Sequence, residues 1–178
     1  MRRLKAQRVS ASISGRSEEN LTFVDEVRAG RELMLDTCVY IDVIQGKIPQ
    51  AVEGLLTTRI VNHSAICLAE LTHLFGRLDP NHEETPATLK EIRGIIENDI
   101  PSHRMTAPST RVLGEAGMLA GLTTRLSGRA RDHVLLNDAI LYLQAQELGC
   151  VVLTRNVADF DLFHQLLPTS ELLFYRQV

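Results

Sequence analysis

Five short strand-like runs, the first four each followed by a longer stretch of helical periodicity, constrain this chain more than any other feature. The runs fall at 32–36, 59–65, 103–106, 150–153 and 171–175. The intervening pattern predicts helices at 38–45, 49–57, 65–78, 85–98, 109–124, 138–148 and 157–167, with a further short helix at 18–29. Local signals agree with these limits. Pro49 sits where a helix tolerates proline, Ser64 and Asn137 read as N-caps, and Gly149 reads as a left-handed stop. Strands this short and apolar, alternating with helices, predict an α/β protein: a three-layer α/β/α sandwich with a central parallel sheet. In such sheets the working crevice lies at the C-terminal ends of the strands.

Residues 1–16 carry five basic side chains and no acid, while the other 162 residues carry 14 basic and 22 acidic side chains, a net of −8. The division expected is a flexible basic extension over residues 1–30 and one folded domain over 31–178. An acidic body is not the footprint of a duplex-DNA reader. It suits a domain that gathers carboxylates around a cation. No run approaches ~20 apolar residues, so no membrane span is expected. Three cysteines, each in an apolar stretch, are an odd count that reads as reduced thiols in a cytoplasmic protein.

Four acids fall at strand ends or in the first turns of the following helices: Asp36, Glu70, Asp138 and Asp159. Each alone has an ordinary explanation. Asp36 could turn or cap, Glu70 could be solvated, Asp138 could answer a helix dipole, and Asp159 could partner the cap Asn156. Together they occupy the places a parallel sheet draws to one edge. Four ionised carboxylates ~5 Å apart make six repulsive pairs of roughly 3 kcal/mol each at an effective dielectric near 20. That exceeds the ~5–15 kcal/mol stability of a domain, so such a cluster must protonate or bind a cation. An all-oxygen set suits Mg²⁺ or Mn²⁺.

Helix phase separates two further aspartates from the set. Asp159 and Asp161 stand ~200° apart on their helix. Asp159 falls with the stripe of Phe163 and Leu166, so it is expected inward, whereas Asp161 falls with His164 and Gln165 on the face read as solvent. Asp42 lies off the Val39, Tyr40, Val43 face of its own helix and is likewise expected in solvent.

The segments LDTCVYID, AICLAEL and NDAILYLQAQELGCVVLTRNVADF resemble the signature segments of PIN-domain ribonucleases, in particular VapC-like toxins of prokaryotic toxin–antitoxin pairs. The likeness spans about residues 32–178 in order and spacing. It implies a PIN-like nuclease domain over 31–178 in which Asp36, Glu70, Asp138 and Asp159 form the acidic quartet. Asp36, Asp138 and Asp159 would be the metal ligands, and Thr154 and Asn156 would support them. The reaction implied is endonucleolytic cleavage of RNA, dependent on Mg²⁺ or Mn²⁺ and leaving a 5′-phosphate. The partners implied are an RNA substrate, a cognate antitoxin protein and a second copy of the chain. The sequence departs from the family at Cys38, where an Asn is usual, and the first 30 residues have no counterpart in the minimal domain.

Cations must flank an acidic pocket that receives RNA. Arg125, Arg129, Arg131 and Arg155 are the candidates. Val52, Leu55, Leu56, Leu71, Leu74 and Phe75 offer apolar surface where helices 49–57 and 65–78 could form a groove for an amphipathic partner. A different reading keeps the fold and drops the chemistry: a PIN-like binding module without catalysis. Zinc at Cys38, His63, Cys67 and His73 lacks any repeated ligand spacing. A haloacid-dehalogenase-like phosphatase needs a second acid where Cys38 stands, and no glycine-rich phosphate loop is present.

Overall fold

In the computed structural model the described residues are 10–128 and 133–178. Five strands form one sheet: β1 (Leu33–Leu35), β2 (Val61–Ser64), β3 (Met105–Thr106), β4 (Val151–Thr154) and β5 (Glu171–Phe174). Their order is β3-β2-β1-β4-β5, and every pair is parallel. Seven α-helices accompany them among the described residues: α1 (Thr37–Ile44), α2 (Gln50–Thr58), α3 (Ala65–Arg77), α4 (Thr85–Gly94), α5 (Thr110–Ser127), α6 (His133–Leu148) and α7 (Val157–Leu166). α1, α3 and α4 pack on one another, as do α5, α6 and α7. The result is the expected three-layer α/β/α arrangement around a parallel sheet.

Burial explains why these runs became strands. Leu33, Met34 and Val152 are fully buried, so β1 and β4 show the continuous apolar pattern of a doubly covered parallel sheet. Ser64 caps α3, accepting from the Ile66 N–H at 3.1 Å, and Gly149 supplies the left-handed stop of α6 at φ +71°. No helix among the described residues is long and apolar enough to cross a membrane.

Two local expectations are corrected. Residues 18–29 form only a 3₁₀ turn at Glu18–Asn20 and then an extended stretch. Thr22–Val24 is recruited by the open edge of β5 instead. Phe23 bridges Phe174, the Val24 N–H donates to the Phe174 carbonyl at 2.7 Å, and the Phe174 N–H donates to Thr22 at 2.9 Å. An unpaired strand edge is a stronger claimant on those backbone groups than a helix too short to hold itself. The second correction is α6, which starts at His133, so Asn137 lies inside the helix and does not cap it.

Residues 10–30, read above as an extension, lie along the body in a strap. The Ile13 N–H donates to the Leu126 carbonyl at 3.1 Å, and the Arg16 guanidinium pairs with Asp161 at 2.6 Å. Arg176 stacks over Phe23 at 4.3 Å from the ring centroid. Gly54 lets Val27 approach α2 so closely that a methyl group there would collide with it. Residues 1–9, most of the basic run, lie outside the described residues.

His63 shows how a buried polar group is accommodated. It is 7% exposed, and its Nδ1 stands 2.7 Å from the Tyr40 hydroxyl. Burial lowers its pKa from 6.5 to about 4. The unfolded chain therefore takes up this proton first, so the contribution is full above pH 6.5 and is lost as pH falls toward 4. His63→Gln is expected to lose less stability than the parent between pH 7 and pH 5, read by urea titration. An equal loss in both proteins would assign the acid sensitivity elsewhere.

Candidate active site

The chain runs from β1 outward through β2 to β3, then returns to place β4 on the other side of β1. The C-terminal ends of β1 and β4 therefore flank the topological switch point, where open α/β sheets hold their ligands. Asp36 follows β1 and Thr154 ends β4. The Asp36 N–H donates to the Leu153 carbonyl at 3.1 Å, which keeps the two strands together up to the acid. Asp36 occupies the N-cap position of α1 yet makes no capping bond. Its carboxylate turns into the crevice, 5% exposed, and accepts from Thr154 Oγ1 at 2.6 Å and Cys38 Sγ at 3.0 Å.

Glu70, in the second turn of α3, accepts from the Thr37 hydroxyl and from Asn137 Nδ2, the latter at 2.7 Å. Thr37 and Asn137 each adjoin one of the other acids in sequence, which ties Glu70 to both Asp36 and Asp138. This is the physical reason Asn137 is not a cap: its amide is spent across the site. On the other side, Asn156 Nδ2 donates to Asp138 Oδ2 and Asp159 Oδ2, both at 2.9 Å. The Asn156 N–H donates to Thr154 Oγ1 at 2.9 Å, closing the chain of contacts back to Asp36. Asn156 also caps α7, accepting from the Asp159 N–H at 3.3 Å.

The structure thus joins Asp36, Asp138 and Asp159 through Thr154 and Asn156 in one hydrogen-bonded chain, and holds Glu70 beside it on Thr37 and Asn137, the sequence neighbours of Asp36 and Asp138. Thr37 and Asn137 are members that sequence reasoning missed, and their adjacency to Asp36 and Asp138 was the available signal. The carboxylates are spaced by hydroxyl and amide donors, and among the described residues no three His, Cys, Asp or Glu side chains meet closely enough to hold an ion. Burial raises the pKa of Asp36, its Cys38 and Thr154 hydrogen bonds oppose that, and the nearby Glu70 charge raises it further. Burial likewise pushes the Cys38 thiol up. The thiol of Cys38 is a weaker donor on that carboxylate than an amide would be.

Two aspartates depart from expectation. Asp42 is not solvated: it is fully buried and accepts from Arg155 Nε, the Tyr175 hydroxyl and Gln177 Nε2. The segment after β5 folds back over α1 and covers it. Asp161 is also fully buried, because residues 13–16 of the strap cover the face of α7 read as solvent. Asp159 is half-buried at the rim, while Phe160 and Phe163 take the interior. Asp159, expected inward, is thus the less buried of the two, and the face of α7 that carries Asp161 is a second interior.

Of the candidate cations, Arg155 lies beside the acids: its N–H donates to Cys38 Sγ at 3.4 Å. Arg125 is exposed on the last turn of α5. Arg129 and Arg131 lie outside the described residues. The expected apolar groove between α2 and α3 is not the one formed. Val52, Leu55 and Leu71 are buried in the core. A hollow of about 470 Å³ instead opens between α1, α2, β2 and the turn at 95–104, lined by Val43, Leu56 and Ile100 among others.

No protein-family model and no curated protein matches the chain in sequence. Solved structures match its fold. FitAcB from Neisseria gonorrhoeae superimposes with a TM-score of 0.57 at 19% identity, over 80% of this chain and 96% of that one. VapBC-5 from Mycobacterium tuberculosis, a member of the VapBC family of toxin-antitoxin systems, gives 0.55 at 19% identity, over 83% and 100%. DNA-bound VapBC from Salmonella typhimurium gives 0.53 at 23% identity, over 80% and 97%. The chain therefore shares the PIN-like fold of these proteins, and at these identities the likeness speaks for the fold alone.

Proposed function

We propose that this protein is a metal-dependent endoribonuclease that hydrolyses RNA phosphodiester bonds, and that it is the toxin of a toxin–antitoxin pair. One observation carries the reading. Asp36 is a buried carboxylate at the switch point, close to the charge of Glu70, and among the described residues neither acid has an ion-pair partner. Buried charge of one sign calls for a cation.

The donor set is oxygen throughout, which fits Mg²⁺ or Mn²⁺. Asp36, Asp138 and Asp159 would hold the ion, which would have to draw together carboxylates that Thr154 and Asn156 now space apart. Bound there, it would activate a water and neutralise the phosphoryl charge. The chain's own residues do the rest. Thr154 and Asn156 fix the oxygens of Asp36, Asp138 and Asp159, Thr37 and Asn137 orient Glu70 toward the same crevice, and Arg155 takes a phosphate at the rim. Arg125, Arg129 and Arg131 would extend that contact along the RNA.

The toxin reading rests on the fold shared with toxin–antitoxin proteins. The apolar hollow beside α1 and α2 would receive an amphipathic segment of the antitoxin, and a homodimer is the assembly we expect. Incubating the protein with mixed cellular RNA should give cleavage with Mg²⁺ or Mn²⁺, none in excess chelator, and new ends bearing 5′-phosphate. Full activity in chelator would remove the metal mechanism. Metal-dependent RNA binding without cleavage would favour the non-catalytic module. Expression without any effect on growth would count against the toxin role.

A further inference from the structure

Asp42 stands outside the four-acid network yet is fully buried. Its carboxylate accepts from Arg155 Nε at 2.8 Å, the Tyr175 hydroxyl at 2.7 Å and Gln177 Nε2 at 2.7 Å. Two of the three donors come from the segment after β5, so the chain commits a stretch of backbone to enclosing this one acid. Net stability is a poor reason for that, since buried ion pairs roughly break even against apolar replacements.

Arg155 supplies a better one. It directly follows Thr154, whose hydroxyl holds Asp36, and its N–H rests on Cys38 Sγ. A guanidinium on so short a tether to an acidic cluster would fold onto the nearest carboxylate. Here its Nε is taken by Asp42 instead, at 2.8 Å. The side chain remains 41% exposed, and among the described residues no protein group accepts from its two terminal nitrogens.

We propose that Asp42 is a positioning residue: it holds Arg155 off the carboxylates by its Nε and presents the terminal nitrogens to a phosphate oxygen of the RNA. The inference rests on the nuclease reading and deepens it. The bracket does two things at once. It keeps a cation from competing with the metal for Asp36, and it fixes a two-pronged donor at the height where the substrate backbone enters.

The test is steady-state cleavage of a single-stranded RNA by the full chain in Mg²⁺, at several salt concentrations. Arg155→Ala should raise KM for RNA about tenfold with kcat unchanged, the signature of a lost ground-state contact. The slope of log KM against log salt should fall by about 0.7, one phosphate contact on a single strand. Asp42→Asn should reproduce both effects and add nothing in the Arg155→Ala background. Arg155→Lys covers the case in which Asp42→Asn does not fold. Its single ammonium is drawn to Asp42, so charge is kept while the slope still falls as in Arg155→Ala. A parent-like slope in Arg155→Lys or Arg155→Ala would overturn the inference alone, as would a further rise in KM, or any loss of kcat, on adding Asp42→Asn to Arg155→Ala. A parent that cleaves no RNA would overturn the nuclease reading and this inference with it.

Discussion

Asp36→Asn is expected to abolish cleavage and to leave the metal-free protein at least as stable as the parent. The two effects have one cause. Asp36 is the most enclosed of the four acids in the crevice, its charge is disfavoured first by burial, and Glu70 adds repulsion. An amide of the same shape keeps an oxygen for Thr154 and Cys38 and removes the unpaired charge. The same charge is what would bind the ion. Losing it should cost at least ~10²–10³-fold in rate, the range found when one electrostatic contact to a transition state is removed. Calorimetry completes the check. Saturating Mg²⁺ or Mn²⁺ at about 100 times Kd adds ~2.7 kcal/mol to the parent by mass action, roughly 5–10 °C in a chain of this size. Asp36→Asn should show no such gain. A variant less stable than the parent in chelator, or one that still gains from metal, would mean that Asp36 is a structural cap.

The second large effect belongs to Arg16 and Asp161, far from the acids in role. Asp161 is fully buried and accepts from the Arg16 backbone N–H at 2.8 Å and its Nε at 2.6 Å, with Gln165 adding a third donor at 2.9 Å. Arg16→Ala leaves that carboxylate without its cation. Removing one partner of a fully buried pair costs ~3–5 kcal/mol; with the Arg16 side chain 33% exposed, water offsets part of this and about 2 kcal/mol is expected. The melting temperature should fall by roughly 4–8 °C. Asp161→Asn should also destabilise, since its amide would turn a donor toward the Arg16 donors, while metal affinity stays near the parent value. Asp159→Asn should do the reverse: little loss of stability and a large loss of metal affinity. If Asp161→Asn weakened metal binding more than Asp159→Asn, the fourth acid of the site would be Asp161.

These two aspartates show where the sequence is readable and where it is not. The strand–helix alternation and the positions of Asp36, Glu70, Asp138 and Asp159 are legible because each depends on neighbours within one or two turns. The β1 and β4 runs had to be buried, and an acid at their ends had to face the crevice between them. Asp42 and Asp161 were misread because helical phase reports only which residues share a face, not what covers it. Their covers lie 135 and 145 residues away in sequence, at Gln177 and Arg16. Asn137 failed for the same reason: its pattern looks like a cap, but Glu70, 67 residues off, takes its amide.

The strap over β5 has a kinetic side. Its contacts join residues 13–24 to α5, α7 and β5, closing the longest loops in the molecule, whereas the pairings among β1, β2 and β3 close much shorter ones. Loop closure slows as separation grows, and a bridge on Phe174 has no template until β5 has docked on β4. The strap is therefore expected to be the last piece to settle during folding. With a single bridge to the sheet and exposed residues at 25–31, it is also the first to let go. Such an opening would bare the β5 edge and strip Asp161 of its cation, without breaking any of the hydrogen bonds among the acids of the crevice. The edge of the sheet is thus expected to close after, and apart from, the crevice at its centre.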